Sequence, residues 1–248
     1  MNIIDSLLEK IERAPSLDFG TIFNQSIELF KKTWVQGLVM LLLTMLLMVP
    51  FYLIMYIPMI AMGYFNPETL NNMEEFNFLL FIPMGIFGLV FAFFTMVISF
   101  GMKASFYRIC KLKDLNKAGS DDYFFYLKRP YLGKVISLSA ATFGITIAAL
   151  LLCVLPVFYV MVPVALMNVI FAFNPDLSTS EIIKAGFNLG NKKWLLTFGL
   201  IIISSFLAGI AMFGLGAMKV KLTGKNWLRS GFETLLIGGV AATAAYFV

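Results

Sequence analysis

The chain has 248 residues, of which 60% belong to the set AVILMFWYC and only 13% are charged, and its mean hydropathy is +0.86. A soluble domain is about 45–50% apolar and about 25% charged, so this chain has too few charges to coat a water-soluble globule. Its apolar residues also lie in runs long enough to cross a bilayer. Composition therefore excludes a soluble enzyme, a disordered chain and a disulfide-stapled secreted domain. It predicts an all-α, polytopic integral membrane protein.

The residue types present argue against catalysis. The chain contains no histidine, the commonest general base and transition-metal ligand. Cys110 and Cys153 form no metal-binding motif, and we expect both to be free thiols. No nucleophile motif, phosphate loop or metal-ligand cluster is recognisable, so we expect no enzyme, no catalytic residue and no cofactor. The basic residues lie in short loops between apolar segments, so nucleic acid is not an expected partner.

Residues 1–33 are predicted to form interfacial amphipathic helices. Apolar residues recur at helical spacing in residues 3–11 and again in residues 19–30. In the first stretch, charged side chains occupy the opposite face of the helix. A basic pair and Trp34 follow, a combination typical of a membrane interface. The segment lacks the basic and apolar regions of a cleavable signal, so we expect it to remain on the mature protein.

Residues 34–218 are predicted to form a membrane bundle of about five spans. The first, 35–62, should kink at Pro50 and end near Pro58. Asn66-Pro67-Glu68 is a helix-start signal ahead of the second span, 78–102. Residues 135–173 carry no charge and suit two helices that turn at Leu155-Pro156. Ser178 and Glu181 have capping-box spacing and begin a short amphipathic helix ahead of the fifth span, 195–218.

The loop 103–134 carries eight basic residues and is predicted to be cytoplasmic by the positive-inside rule. This places the N-terminus in the cytoplasm, and we expect the protein to lie in the inner membrane. Within the loop, Ser120-Asp121-Asp122 followed by aromatic residues predicts another interfacial helix, with the two aspartates as helix caps. The basic residues could bind anionic lipid headgroups or serve only to set the topology. They are Lys103, Arg108, Lys111, Lys113, Lys117, Lys128, Arg129 and Lys134.

Interfacial stretches ending in basic residues precede three of the spans, which suggests three hairpin units and about six spans. The last unit, 219–248, is a basic linker and a final transmembrane helix. Six spans would place the linker outside although it carries Lys219, Lys221, Lys225 and Arg229, against the positive-inside rule. Either one middle segment does not cross the membrane, or the last unit has a different origin from the rest.

Residues 213–248 have the sequence FGLGAMKVKLTGKNWLRSGFETLLIGGVAATAAYFV. This stretch resembles the C-terminal end of the vacuolar iron transporter family. The shared elements are a Gly-Ala-x-Lys helix end, a Leu-Thr-Gly linker, an Arg-Ser-Gly-x-Glu helix start and a Leu-Ile-Gly-Gly final helix. The resemblance implies a cytoplasmic linker and divalent-metal transport. Of the carboxylates in the shared stretch only Glu233 is present, and the family's other metal residues have no positions to map onto.

Residues 1–210 are similar to the six-helix membrane domain of some glycerophosphodiester phosphodiesterases and to its stand-alone bacterial relatives. The likeness lies in the pattern of an interfacial helix followed by a hairpin, and in the stretch NPDLSTSEIIKAGFNLGNKKW. It implies a helical bundle without the phosphodiesterase activity, which belongs to a separate soluble domain. A composite chain with a junction near residue 210 would explain the topology conflict.

Polar residues within the spans are the remaining candidates. Glu233 is the only formal charge in a predicted span, so it is either a metal site or a near-surface partner of Arg229. Four polar residues of the third and fourth spans either line a polar path or bond back to the helices, namely Ser139, Thr142, Thr146 and Asn168. Small residues of the last helix favour close packing or a homo-oligomer, namely Gly238, Ala241, Ala242 and Ala245.

These features together predict a non-enzymatic multi-pass protein that handles lipids or organises the membrane, with membrane lipids as its partners. The alternative is a divalent-metal transporter, for iron or manganese, related to the vacuolar iron transporter family.

Overall fold

The computed structural model describes residues 3–15, 17–61, 78–152, 154–219 and 226–247. Within these ranges the chain is all-α, as predicted, with seven helices and a three-residue 3-10 turn, Phe125–Leu127. The helices are α1 Ile3–Arg13, α2 Phe19–Ala61, α3 Phe78–Asp114, α4 Arg129–Leu151, α5 Val154–Phe173, α6 Thr179–Met218 and α7 Trp227–Phe247. Five of them contain segments long and apolar enough to cross a membrane, namely Phe19–Ile54, Gly85–Asp114, Arg129–Leu151, Leu155–Phe173 and Thr179–Met218. The chain divides into unit 1, Met1–Leu189, and unit 2, Gly190–Val248.

Unit 1 is organised around α3, which contacts α2, α4 and α5, while α4 and α5 also contact each other. Buried apolar residues from α3, α4 and α5 form one cluster, which also includes Ile4 and Ile11 of α1. The apolar face of α1 is therefore covered by protein. Its position at the membrane interface stays a prediction.

Helix α2 joins the predicted interfacial stretch and the first span in one helix of 43 residues. Asp18 caps the N-terminus of α2. Its carboxylate accepts hydrogen bonds from the backbone N–H of Thr21 (2.8 Å) and from the Thr21 hydroxyl (3.0 Å). These bonds hold the pKa of Asp18 below its usual value. The helix passes Pro50 without ending, as proline is tolerated in membrane helices. The helix-start signal predicted at residues 66–68 lies outside the described residues.

The turn between α4 and α5 comes earlier than predicted. Helix α4 ends at Leu151 and α5 begins at Val154, so Leu155-Pro156 lies inside the first turn of α5. Proline is well tolerated there, because the first backbone N–H groups of a helix have no partner within the helix. Pro163 lies inside α5.

Helix α6 confirms two local predictions. The Ser178 N–H donates to the Glu181 carboxylate at 2.7 Å and the Glu181 N–H donates to the Ser178 hydroxyl at 3.4 Å, which is a capping box. The backbone leaves helical geometry at Lys193 (φ −116°, ψ 19°). This kink falls at the predicted junction between the short amphipathic helix and the fifth span.

The prediction of an interfacial helix after Ser120 is wrong. Residues 117–122 are irregular and only the turn Phe125–Leu127 follows before α4. The Asp122 carboxylate accepts the Phe124 N–H at 3.2 Å, a local turn that competes with helix formation. The side chain of Tyr126 is 2% exposed and belongs to the buried cluster of unit 1.

Unit 2 contains a closely packed pair, the C-terminal part of α6 and α7. The Ser230 hydroxyl donates to the backbone oxygen of Gly216 at 2.8 Å. Gly238 packs against the end of the Met212 side chain. Small residues permit such close approach between membrane helices. Gly238 thus packs within this unit, and the side chains of its companions on the small-residue face, Ala241, Ala242 and Ala245, lie outside the described residues.

Candidate functional site

The predicted polar residues of the third and fourth spans lie inside unit 1. Ser139 and Thr142 on α4 are fully buried and Asn168 on α5 is 6% exposed. The Thr142 hydroxyl donates to the backbone oxygens of Leu138 and Ser139, both at 3.0 Å. The Thr146 hydroxyl likewise donates to the Thr142 oxygen at 2.8 Å. Both threonines therefore bond back to their own helix, a common role for hydroxyls in membrane helices.

Asn168 and Ser139 differ from the threonines. The amide nitrogen of Asn168 donates to the backbone oxygen of Phe100 on α3 at 3.1 Å. Its amide oxygen, Oδ1, is buried and has no hydrogen-bond partner among the described residues, and the same holds for the Ser139 hydroxyl oxygen. A buried polar atom without a partner is rare and destabilises a fold by about 1–3 kcal/mol. These two atoms therefore need an explanation.

The predicted loop 103–134 is shorter in the structure, because α3 continues to Asp114 and α4 begins at Arg129. Of the eight basic residues assigned to it, five contact other groups of unit 1. The Arg108 guanidinium lies 4.1 Å from the centre of the Phe125 ring, and the Lys111 ammonium 4.9 Å from that of Phe173. The other three are paired with oxygens: Lys113 with Asp121 at 3.3 Å, Lys128 with Asp122, and Lys134 with the backbone oxygen of Pro175. The two aspartates are thus ion-pair partners rather than a metal pair.

The other three basic residues of the loop are exposed. Lys103, Lys117 and Arg129 make no ion pair or ring contact within the part of the chain that the structure describes. Their charges are consequently not neutralised by a neighbouring side chain. Lys103 differs from the other two, because it lies within α3 and within the candidate membrane span Gly85–Asp114, whereas Lys117 follows α3 and Arg129 begins α4.

Tyr126 is a structural anchor that the sequence reasoning missed. Its phenolic oxygen donates to the Ala172 backbone oxygen at 2.8 Å, and its N–H donates to the Ser105 hydroxyl at 3.1 Å. Burial raises the pKa of Tyr126 to about 12, and Tyr131 adds to the effect. The neighbouring aromatic residues suggested an interfacial position, and no local sequence signal connects Tyr126 to Ala172.

Glu233 lies on α7, one turn after Arg229. The Arg229 Nε atom is 3.2 Å from Glu233 Oε1, and 78% and 41% of the two side chains are exposed. Among the described residues, no three or more aspartate, glutamate or cysteine side chains lie together where they could hold a metal ion. The structure therefore places Glu233 in an exposed ion pair.

These helices define the class of the protein, a multi-pass helical membrane protein. The family model of the VIT family matches residues 187–248, about one quarter of the chain, so this segment is similar to that family. The match begins at residue 187 and unit 2 at Gly190, so the similarity covers the whole of unit 2. No curated protein and no solved structure matches the chain. None of these comparisons supports the resemblance of residues 1–210 to the phosphodiesterase membrane domain.

Proposed function

We propose that this protein transports a divalent metal cation, iron or manganese, across the membrane. The observation that carries the proposal is the match of residues 187–248 to the VIT family. The matched residues include the whole of unit 2, which contains the packed pair formed by the C-terminal part of α6 and by α7. This favours metal transport over the lipid-handling function that the sequence alone suggested first.

Glu233 is the residue of unit 2 best suited to a metal cation. It is the only carboxylate in residues 187–248, and carboxylates are good ligands for manganese and iron(II). Its partner Arg229 is largely exposed, and exposed ion pairs contribute only about 0–1 kcal/mol. A metal cation arriving from the water can therefore displace the guanidinium at little cost. We assign Glu233 the role of a cation-entry residue.

Uptake of iron(II) or manganese into proteoliposomes tests the proposal. Wild-type vesicles should accumulate metal above empty vesicles, and Glu233→Gln should reduce uptake at low metal concentration by about tenfold, the effect of losing roughly 1.4 kcal/mol of interaction. Arg229→Gln should increase uptake, because it removes the competing cation. Glu28→Gln is the matched control, since Glu28 is also an exposed carboxylate paired with a basic residue, Lys31 at 2.9 Å.

Two results would contradict this proposal in different ways. Uptake no greater than in empty vesicles would overturn metal transport itself. Uptake that is the same in Glu233→Gln and wild type would overturn the role of Glu233 while leaving transport in place.

A second function, binding of anionic lipids by a non-enzymatic protein, is supported by the exposed charges of Lys103, Lys117 and Arg129. Basic residues beside a membrane gain about 1 kcal/mol each from anionic lipids. Phosphatidylglycerol in the detergent micelle should raise the Tm of the protein more than phosphatidylcholine does, and high salt should reduce the difference.

Replacing all three of these residues with glutamine should abolish the preference for phosphatidylglycerol. The double variant Lys113→Gln, Lys128→Gln is the control, since Asp121 and Asp122 already neutralise those charges within the protein. Equal Tm values with the two lipids in the wild type would argue against lipid recognition.

A further inference from the structure

We propose that Arg108 and Lys111 bind a terminal phosphate group at one end of unit 1. The two residues lie three positions apart on α3, so their side chains leave the same face of the helix. The Arg108 guanidinium lies 4.1 Å from the centre of the Phe125 ring. The Lys111 ammonium lies 4.9 Å from the centre of the Phe173 ring. Aromatic rings therefore hold two cations one helical turn apart.

The two rings belong to one packed group. Phe125 packs edge-to-face on Tyr126, with 5.0 Å between the ring centres. The Tyr126 hydroxyl in turn donates to the backbone oxygen of Ala172, the residue before Phe173. The ring partners of the two cations are thus joined through a single side chain. The end of α3, the 3-10 turn and the end of α5 meet at this one place.

The positive charges of this site have no counter-charge among the described residues. Neither Arg108 nor Lys111 makes an ion pair there. The Nη1 atom of Arg108 is buried and has no hydrogen-bond partner in the same part of the chain. Asp176 and Arg108 have opposite effects on the pKa of Tyr126, yet they form no ion pair with each other. An unpartnered N–H group lacks an acceptor, and neighbouring cations on a helix repel each other, so the site suits an anion.

The chemistry and the position of the site favour a terminal phosphate among anions. A guanidinium presents N–H groups in a fork that matches phosphate oxygens. A terminal phosphate carries about 1.5–2 negative charges at pH 7, which match two cations better than the single charge of a carboxylate or a phosphodiester does. The candidate spans Gly85–Asp114 and Leu155–Phe173 both end at this site, where Lys111 and Phe173 are exposed. A lipid headgroup and free phosphate both offer this chemistry at such a position.

The site is separate from Glu233 in unit 2 and from the exposed charges of Lys103, Lys117 and Arg129. Its occupation therefore depends neither on metal transport nor on the lipid preference of those three residues. The competing explanation is that the two cations only complement the partial negative charge at the C-terminal end of α3. In that case the ring contacts suffice, and phosphate has no effect on the stability of the protein.

Thermal unfolding of the full-length protein in an uncharged detergent separates the two explanations. The Tm is measured with millimolar sodium phosphate against sodium chloride of equal ionic strength, and with dioleoyl phosphatidic acid against dioleoyl phosphatidylcholine. We expect at least one phosphate probe to raise the Tm by several degrees in a saturable manner, because a ligand that binds only the folded state stabilises it. A response to phosphatidic acid alone identifies a lipid headgroup as the ligand. A response to sodium phosphate identifies a site that free phosphate occupies.

Arg108→Gln and Lys111→Gln are the decisive variants. Each should lower the apparent affinity for the active probe by about tenfold or more, because each removes a charge-assisted contact. Lys111 is exposed, so its replacement should leave the fold intact even where Arg108→Gln does not fold. Lys113→Gln is the matched control on the same helix. Its charge is already paired with Asp121 at 3.3 Å, so this variant should keep the full response.

The triple glutamine variant of Lys103, Lys117 and Arg129 distinguishes this site from the exposed charges. It should keep the response to the active phosphate probe, and loss of that response would move the site to those residues and overturn the proposal. A wild-type Tm that neither phosphate probe raises would also overturn it. The same holds for an undiminished response in Arg108→Gln or Lys111→Gln.

Discussion

Tyr126 donates a hydrogen bond from its phenolic oxygen to the backbone oxygen of Ala172, 46 residues later in the chain, at 2.8 Å. Ala172 lies in the last turn of α5, where backbone oxygens have no partner within the helix. The backbone N–H of Tyr126 is bonded to Ser105 on α3. One residue of the 3-10 turn therefore connects the loop to two helices of unit 1.

Tyr126→Phe should destabilise the protein. The change leaves the oxygen of Ala172 without its partner while preserving the ring contacts, at an expected cost of about 1–3 kcal/mol. In a protein of this size the Tm should fall by several degrees. Tyr123→Phe is the control, because the Tyr123 hydroxyl makes no hydrogen bond within the described part of the chain. Equal Tm values for the two variants would show that the bond contributes nothing.

Tyr126 also predicts a dependence of stability on alkaline pH. Its pKa is raised to about 12 in the folded protein from an ordinary value of 10.0. Below pH 10 the residue is protonated in both states, so its contribution is constant. Between pH 10 and 12 only the unfolded state loses the proton, and the free energy of unfolding should fall by up to about 1.4 kcal/mol per pH unit.

Tyr126→Phe should remove this part of the decline. The measurement is the Tm of both proteins from pH 8 to pH 12, with the difference between them as the quantity of interest. The difference should be constant up to pH 10 and should shrink above it. A difference that does not change with pH would contradict the assignment.

Gly216 should be essential to the close approach of α6 and α7. A side chain there would lie 2.5 Å from the Thr234 hydroxyl oxygen and 2.7 Å from the backbone oxygen of Ser230. Because a backbone atom cannot rotate away, Gly216→Ala should separate the helices and cost about 1–3 kcal/mol. Gly214→Ala is the matched control on the same helix. Nothing lies within 4 Å of its added methyl group, so it should be neutral or stabilise the helix by up to about 1 kcal/mol.

The features predicted correctly from the sequence are local ones. The capping box of Ser178 and Glu181 and the junction at Lys193 depend on residues within one or two helical turns. The error at Tyr126 has the opposite cause. An aromatic residue beside basic ones has the same sequence pattern whether it lies at a membrane interface or is buried, and only the contact with Ala172 distinguishes the two.

The same reasoning applies to the polar path. Ser139 and Thr142 are equivalent in a helical pattern, since both are hydroxyls on one face of α4. The structure separates them, because the Thr142 hydroxyl is bonded to its own helix and the Ser139 hydroxyl is not. Hydrogen-bond satisfaction depends on side-chain rotation and on neighbouring helices, which spacing does not specify.

The 103–134 loop and the 219–230 linker should lie on opposite sides of the membrane. Three segments long and apolar enough to cross lie between Lys117 and Lys225: Arg129–Leu151, Leu155–Phe173 and the one within Thr179–Met218. An odd number of crossings would place the loop and the linker on opposite sides of the membrane. The positive-inside rule opposes this arrangement, because both segments are basic. All three segments are long and apolar enough to cross, so we expect the crossings to outweigh the charges of the linker.

Cysteine labelling measures this directly. In a background with Cys110 and Cys153 replaced by alanine, Lys117→Cys and Lys225→Cys are treated in intact cells with a membrane-impermeant thiol reagent. One of the two variants should be labelled, and the other should react only after the membrane is opened. Equal behaviour of the two would mean that one of the three segments does not cross. It would also give the linker of unit 2 the cytoplasmic position that the resemblance to vacuolar iron transporters implies, because the loop with eight basic residues is the cytoplasmic reference.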